Sequence, residues 1–136
     1  MSEAPRPAAD ASPDFVPPWR LRHHHVQSIY PSLPLRRPGV ERRASVLRQA
    51  SREAIVDCGD GVRLLALVAT QADAGRPPTD RLAVLLHGWE GSANSLYLLS
   101  LGQRLFDAGY DVARLNLRDH GDSHHLNAGI FHSCRI

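Results

Sequence analysis

The stretch Leu82 to Asn94, LAVLLHGWEGSAN, constrains the fold of this chain more than any other. Its first five residues are continuously apolar and bounded by Arg81 and by His87-Gly88, the pattern of a strand buried on both faces. Ser92, Asn94 and Ser95 can each cap a helix whose apolar positions begin at Leu96. Strand, turn, helix is therefore the expected order. Gly88 and Gly91 lie in that turn, and residues without a Cβ let the main chain approach a ligand closely.

The flanking segments extend this into a sheet. Leu98, Leu101, Gly102 and Leu105 fall at i, i+3, i+4 and i+7, widened by Leu99 and Phe106, which gives an amphipathic helix to about Ala108 with Gly109 as its stop. Gly102 costs ~1 kcal/mol of helix propensity against Ala, so its expected use is close packing on the sheet. Tyr110 to Leu117 reads as a second parallel strand, making a strand–helix–strand unit. Its end, Arg118-Asp-His-Gly-Asp-Ser123, then shares a sheet edge with His87-Gly88, and in open parallel sheets that carboxyl edge binds ligands. Upstream, Glu53 to Asp57 and Val62 to Ala69 flank Cys58-Gly-Asp-Gly61 as a hairpin. Gln71 to Arg81 is a surface loop.

Two motifs in register now carry a resemblance. HGWEGS after a buried strand resembles the oxyanion-hole loop of the α/β-hydrolase superfamily, and NLRDHGDS resembles the RGHGxS-type turn after the next strand. With HHHVQSIYP near the start and His132-Ser133 near the end, the chain from Arg22 onward is similar to the YheT-type hydrolases, a presumed esterase branch. The resemblance implies the N-terminal half of an α/β-hydrolase fold: an antiparallel hairpin, then a parallel strand–helix–strand. It also implies that the strand Leu82 to Leu86 lies between its successor in sequence and the strand carrying the nucleophile.

In that superfamily a serine on a GxSxG elbow attacks an ester, histidine and an acid activate it, and backbone N–H groups hold the oxyanion. These 136 residues contain no GxSxG, so no catalytic residue is assigned here and the triad is expected beyond Ile136. The resemblance makes the Trp89 N–H one oxyanion donor, with Trp89 standing where the HGGG form has glycine and walling the substrate site. His87, Gly88, Glu90 and Gly91 form the first site loop, and Arg118, Asp119, His120 and Gly121 the second. From the residues alone, His87 is expected to brace its own turn, and Glu90 and Asp119 to form links with Arg118 or Arg114. The expected activity is carboxylic-ester hydrolysis of a small-molecule substrate, with no cofactor. An epoxide hydrolase or dehalogenase of the same fold is the alternative, as is a non-catalytic module using Arg36 to Arg52 on anionic membranes or nucleic acid. With half a fold, exposed edge and apolar surface would drive self-association.

Residues 1–18 are rich in Pro, Ala, Ser and Asp, and are expected to form a disordered arm without a secretory signal. Residues 19–50 read as an extension with one short helix, holding Val26, Ile29 and Tyr30 inward and stopped by Pro31; residues 51–136 read as the partial hydrolase domain. His23, His24 and His25 are adjacent and so diverge on a helix, against a metal site. Between Leu33 and Arg52, Pro34, Pro38 and Gly39 act as breakers, and the periodicity does not decide between helix and extended chain. All sixteen basic residues are Arg and the formal charge is +2, too balanced for a nucleic-acid partner. Cys58 and Cys134 have no metal spacing and read as free thiols in a reducing cytoplasm. No stretch reaches the ~20 apolar residues of a membrane span, which leaves peripheral association open.

Overall fold

The computed structural model describes residues 16–30 and 33–130, so the expectations for residues 1–15, for Pro31 and for His132, Ser133 and Cys134 lie outside the described residues. The chain divides into two compact units, Met1–Tyr30 and Pro31–Ile136.

In the first unit, Trp19–Leu21 form a 3-10 turn and His24–Ile29 a short helix, α1. The His23 ring caps it by accepting from the His25 N–H at 3.3 Å. The helix is where the sequence places it, but its apolar residues are not inward. Val26, Ile29 and Tyr30 are 37%, 59% and 43% exposed, because a helix this short carries no stripe broad enough to bury.

The second unit begins with two helices where the periodicity looked undecided: α2, Arg37–Arg43, and α3, Ser45–Ala50. Pro38 does not break α2, since it occupies the first turn, where its missing N–H would have had no helical partner. Val40, Ala44, Leu47 and Ala50 are buried at i, i+4, i+7 and i+10, one continuous stripe across both helices. The compact unit therefore starts ahead of residue 51, the boundary expected for the hydrolase-like domain.

Four strands then form one mixed sheet among the described residues: β1, Ser51–Asp57; β2, Arg63–Ala69; β3, Leu82–Leu86; and β4, Asp111–Asn116. Their order is β1-β2-β4-β3. β1 and β2 are the expected hairpin, antiparallel from Ser51↔Ala69 to Asp57↔Arg63. β2 runs antiparallel to β4, and β3 runs parallel to β4 from Leu82↔Asp111 to Leu86↔Leu115. The fold is thus mixed α/β, with a hairpin and a parallel strand–helix–strand unit.

The connecting helix α4, Leu96–Asp107, packs on one face of the sheet. Gly102 is the contact point: a Cβ there would come 3.0 Å from Leu47 Cδ2 and 3.4 Å from Leu85 Cδ1, so the helix approaches as the sequence suggested. Leu47, Leu85, Leu98, Phe106 and Val112 make the core between helices and sheet. α4 ends in a Schellman turn, with Gly109 at φ 83, its N–H on Phe106 O at 3.1 Å and the Tyr110 N–H on Leu105 O at 3.1 Å.

β3 is not buried on both faces. Leu85 enters the core at 9% exposure, while Leu82, Val84 and Leu86 alternate to the other face and are 59%, 53% and 57% exposed. The apolar run is continuous, yet helices cover only one side of it among the described residues. β3 is also the edge of the sheet.

Candidate functional site

Both motif turns leave the carboxyl edge of the parallel pair. His87 follows β3 directly, and Leu117 follows β4. The His87 ring joins them: its Nε2 accepts from the Leu117 N–H at 3.1 Å, which assigns the remaining proton to Nδ1, donating to Gly88 O at 2.8 Å. His87 is 5% exposed and its ring lies 4.9 Å from that of His120. It braces its own turn, as expected, and the neighbouring turn as well.

The HGWEGS loop is tightly tied. The Gly88 N–H donates to Tyr97 Oη at 2.6 Å, and the Gly91 N–H to Gly88 O at 3.0 Å. Gly91 is closely packed: a Cβ there would come 3.0 Å from Gly88 O and 3.0 Å from His87 Cβ, so a side chain would require the loop to shift by a few tenths of an ångström. Glu90 takes φ 55, a left-handed backbone that turns the chain between Trp89 and Gly91. Trp89 stands on the outer side of this loop with 78% of its surface exposed.

Two residues that sequence reasoning missed hold this loop to the sheet. Arg114 Nη1 donates to Ala93 O at 3.0 Å, and Asn116 Oδ1 accepts from the Ala93 N–H at 2.7 Å. They lie two apart on β4, so both side chains leave the same face. The signal was present in the sequence: polar residues at 114 and 116 share the face of Val112, which is fully buried. Arg114 is 1% exposed, and Nη2 also donates to Ser51 Oγ at 2.9 Å, while Nε has no partner among the described residues. Burial, with a smaller contribution from the charge of Arg48, lowers its pKa from the ordinary guanidinium range to about 10.

The second turn is built on Asp119 at φ 59 and Gly121 at φ 58. A Cβ on Gly121 would come 2.7 Å from Asn116 Oδ1, so glycine there protects the bond that Asn116 makes to Ala93. Asp119 pairs with His124 Nδ1 at 2.6 Å rather than with Arg118 or Arg114, whose guanidinium is turned into the core. Ser123 is fully buried, and its hydroxyl donates to His120 O at 2.8 Å, with Leu117 O at 3.2 Å. Its Oγ is therefore turned to backbone carbonyls rather than to any imidazole.

Together the structure places His87, Gly88, Trp89, Glu90 and Gly91 on one turn and Arg118, Asp119, His120 and Gly121 on the other, at the same sheet edge. No family model, curated protein or solved structure matches this chain. The site must stand on its geometry.

That geometry offers backbone groups on rigid turns. Among the described residues no cluster of three His, Cys, Asp or Glu could hold a metal, and no helix is long and apolar enough to cross a membrane. The segment Arg36 to Arg52 does not form one bare cationic face. Arg37 pairs with Glu41 at 3.1 Å, Arg48 reaches the same carboxylate at 4.0 Å, and Arg52 pairs with Asp73 at 3.4 Å.

Proposed function

We propose that this chain forms the oxyanion-hole side of an acyl-hydrolase site of the α/β-hydrolase type, acting on small-molecule carboxylic esters. In this reading the Trp89 N–H is one oxyanion donor, and the two site loops form the adjacent wall of the substrate pocket. These 136 residues contain no GxSxG, so this reading assigns no nucleophile among them.

The observation that carries the reading is the edge shared by the HGWEGS and RDHGDS turns, bonded through His87 and Leu117 at 3.1 Å. Strand order supports it. The superfamily places the strand before the first turn between its successor and the nucleophile strand, and here β3 has β4 on one side and an open edge on the other. An oxyanion donor contributes only if it is rigid and aimed before charge develops. The bonds that fix Gly88, Gly91 and Ala93 supply that rigidity.

A tetrahedral oxyanion mimic tests this directly. Titration of the isotope-labelled chain with a short alkylphosphonate monoester should move the Trp89 amide resonance, with smaller shifts at Gly88, Glu90 and His120. Shifts that leave residues 87–91 untouched while moving others would reject the site.

A further inference from the structure

We infer that the segment from Val16 to Tyr30 is a docking surface for an anionic lipid bilayer, built from residues outside the two sheet-edge turns. Within it the 3-10 turn Trp19–Leu21 packs beside α1, whose first turn is capped by the His23 ring. No residue of either element is buried. Val26, Ile29 and Tyr30 fall at i, i+3 and i+4, which places them on one face, and Val16 and Trp19 ahead of them are 67% and 73% exposed. Apolar and aromatic side chains therefore stand at the surface along the whole segment.

The full charges of the segment are all of one sign. Arg20 and Arg22 carry them, and no Asp or Glu occurs between Val16 and Tyr30. The Arg20 guanidinium lies 5.0 Å from the Trp19 ring centroid, so a cation and an exposed indole are presented together. Exposed apolar groups beside cations, with no acid among them, complement a bilayer whose headgroups are negative and whose next layer is apolar. Indole and phenol rings settle at that boundary, because each has an apolar body and a polar tip. A protein groove is the poorer match: groove-bound helices anchor at i, i+3, i+4 and i+7, and α1, six residues long, ends before i+7. A nucleic acid would meet only the two Arg cations and leave the apolar side chains wet.

The test is flotation of the full chain at neutral pH with vesicles of phosphatidylcholine alone and of phosphatidylcholine and phosphatidylserine in equal parts. Flotation separates bound protein from self-associated protein, which sinks. The chain should float with the anionic vesicles and stay behind with the neutral ones. Trp19→Ala should weaken binding roughly tenfold through lost apolar contact, and Arg20→Gln or Arg22→Gln roughly fivefold each, the scale of one cation at an anionic surface. Leu101→Ser, which removes a side chain 46% exposed on α4, should leave binding unchanged. The chain has two tryptophans, Trp19 and Trp89, so each indole can be followed alone. In a Trp89→Phe variant the Trp19 emission should shift to the blue on anionic vesicles and be quenched when their phosphatidylcholine is brominated on its acyl chains; in a Trp19→Phe variant the Trp89 emission should do neither. Thermal unfolding checks that the variants keep the fold of the parent. No flotation, equal flotation with neutral vesicles, undiminished binding by Trp19→Ala, or a response confined to Trp89 would each overturn the assignment. Binding of a single-stranded oligonucleotide in place of the vesicles, lost in Arg20→Gln, would give the segment to nucleic acid instead.

Discussion

The Nε2 atom of His87 accepts the Leu117 N–H at 3.1 Å, so a side chain from the turn after β3 completes the backbone hydrogen bonding of the turn after β4. A buried donor left without its acceptor costs ~1–3 kcal/mol, which makes this bond a stability term as well as a positional one. His87→Phe fills similar space without the acceptor. It should lower stability by about 2 kcal/mol and speed hydrogen exchange at the Leu117 amide. Unchanged exchange at Leu117 would mean that the two turns are held together by something else.

The chain by itself should have no esterase turnover. Ser123 is buried with its hydroxyl committed to His120 O at 2.8 Å, and among the described residues no imidazole is hydrogen-bonded to it. Assays on short and medium p-nitrophenyl esters should match buffer, and a fluorophosphonate probe should not label the protein. Stoichiometric labelling that disappears in Ser123→Ala would identify a nucleophile where the geometry offers none.

Arg114 should be tolerant of losing its charge and intolerant of losing its bulk. Its pKa falls from the ordinary guanidinium range to about 10, so the folded chain holds this proton less tightly than the unfolded chain does. The charged form therefore costs stability at every pH below about 10, and the cost is relieved only as pH rises above that toward the ordinary guanidinium value. Arg114→Ala leaves a cavity and strips Ala93 O of its donor, a loss on the order of 3 kcal/mol. Arg114→Met keeps the packed stem without the desolvated charge, and should lose less than half as much in chemical denaturation. Equal losses in the two variants would show that the hydrogen bonds, not the packing, dominate.

The acid limb of the stability curve should carry a contribution from Asp73. A hydrogen bond from Thr70 Oγ1, at 2.6 Å, is the largest influence holding its pKa below the usual 3.8, opposed by partial burial and aided by the Thr70 N–H and Arg52. A depressed carboxylate stabilises fully above its unfolded value and loses that contribution as pH falls through the folded one. Asp73→Asn should therefore flatten the fall in melting temperature below about pH 3.8 and lower stability at neutral pH. A variant curve parallel to that of the parent across this range would remove Asp73 from the account.

Self-association should run through β3. Among the described residues its outer edge is unpaired and adjoins an open face carrying Leu82, Val84 and Leu86, each more than half exposed, and apolar area left wet forgoes ~25 cal/mol per Å². Light scattering should show mass rising with concentration, and Val84→Lys should reduce it by placing a charge on the strand that any partner must pair with. A monodisperse monomer that unfolds cooperatively and binds no apolar dye would show that the fold needs nothing further on that edge.

The sequence by itself determined the elements whose signals are local. The glycine-bounded hairpin, the run Leu82 to Leu86 and the stripe of α4 with its Gly109 stop follow from periodicity and turn chemistry within each segment, and the shared edge of the two turns follows from reading those segments as one strand–helix–strand unit. What only tertiary structure decided is where each element lies among the others. A continuous apolar run reads alike whether one face of its strand is covered or both, so the exposure of Leu82, Val84 and Leu86 was decided by the described helices packing on one face of the sheet alone. The Arg-rich stretch read as undecided because Pro38 and Gly39 mask a helical stripe that becomes visible once Val40, Ala44, Leu47 and Ala50 meet α4 and the sheet. Asp119 turned to His124, and Arg114 to the backbone of Ala93, because a polar side chain takes the partner that the fold brings within about 3 Å, the reach of a hydrogen bond, and not the one nearest in sequence.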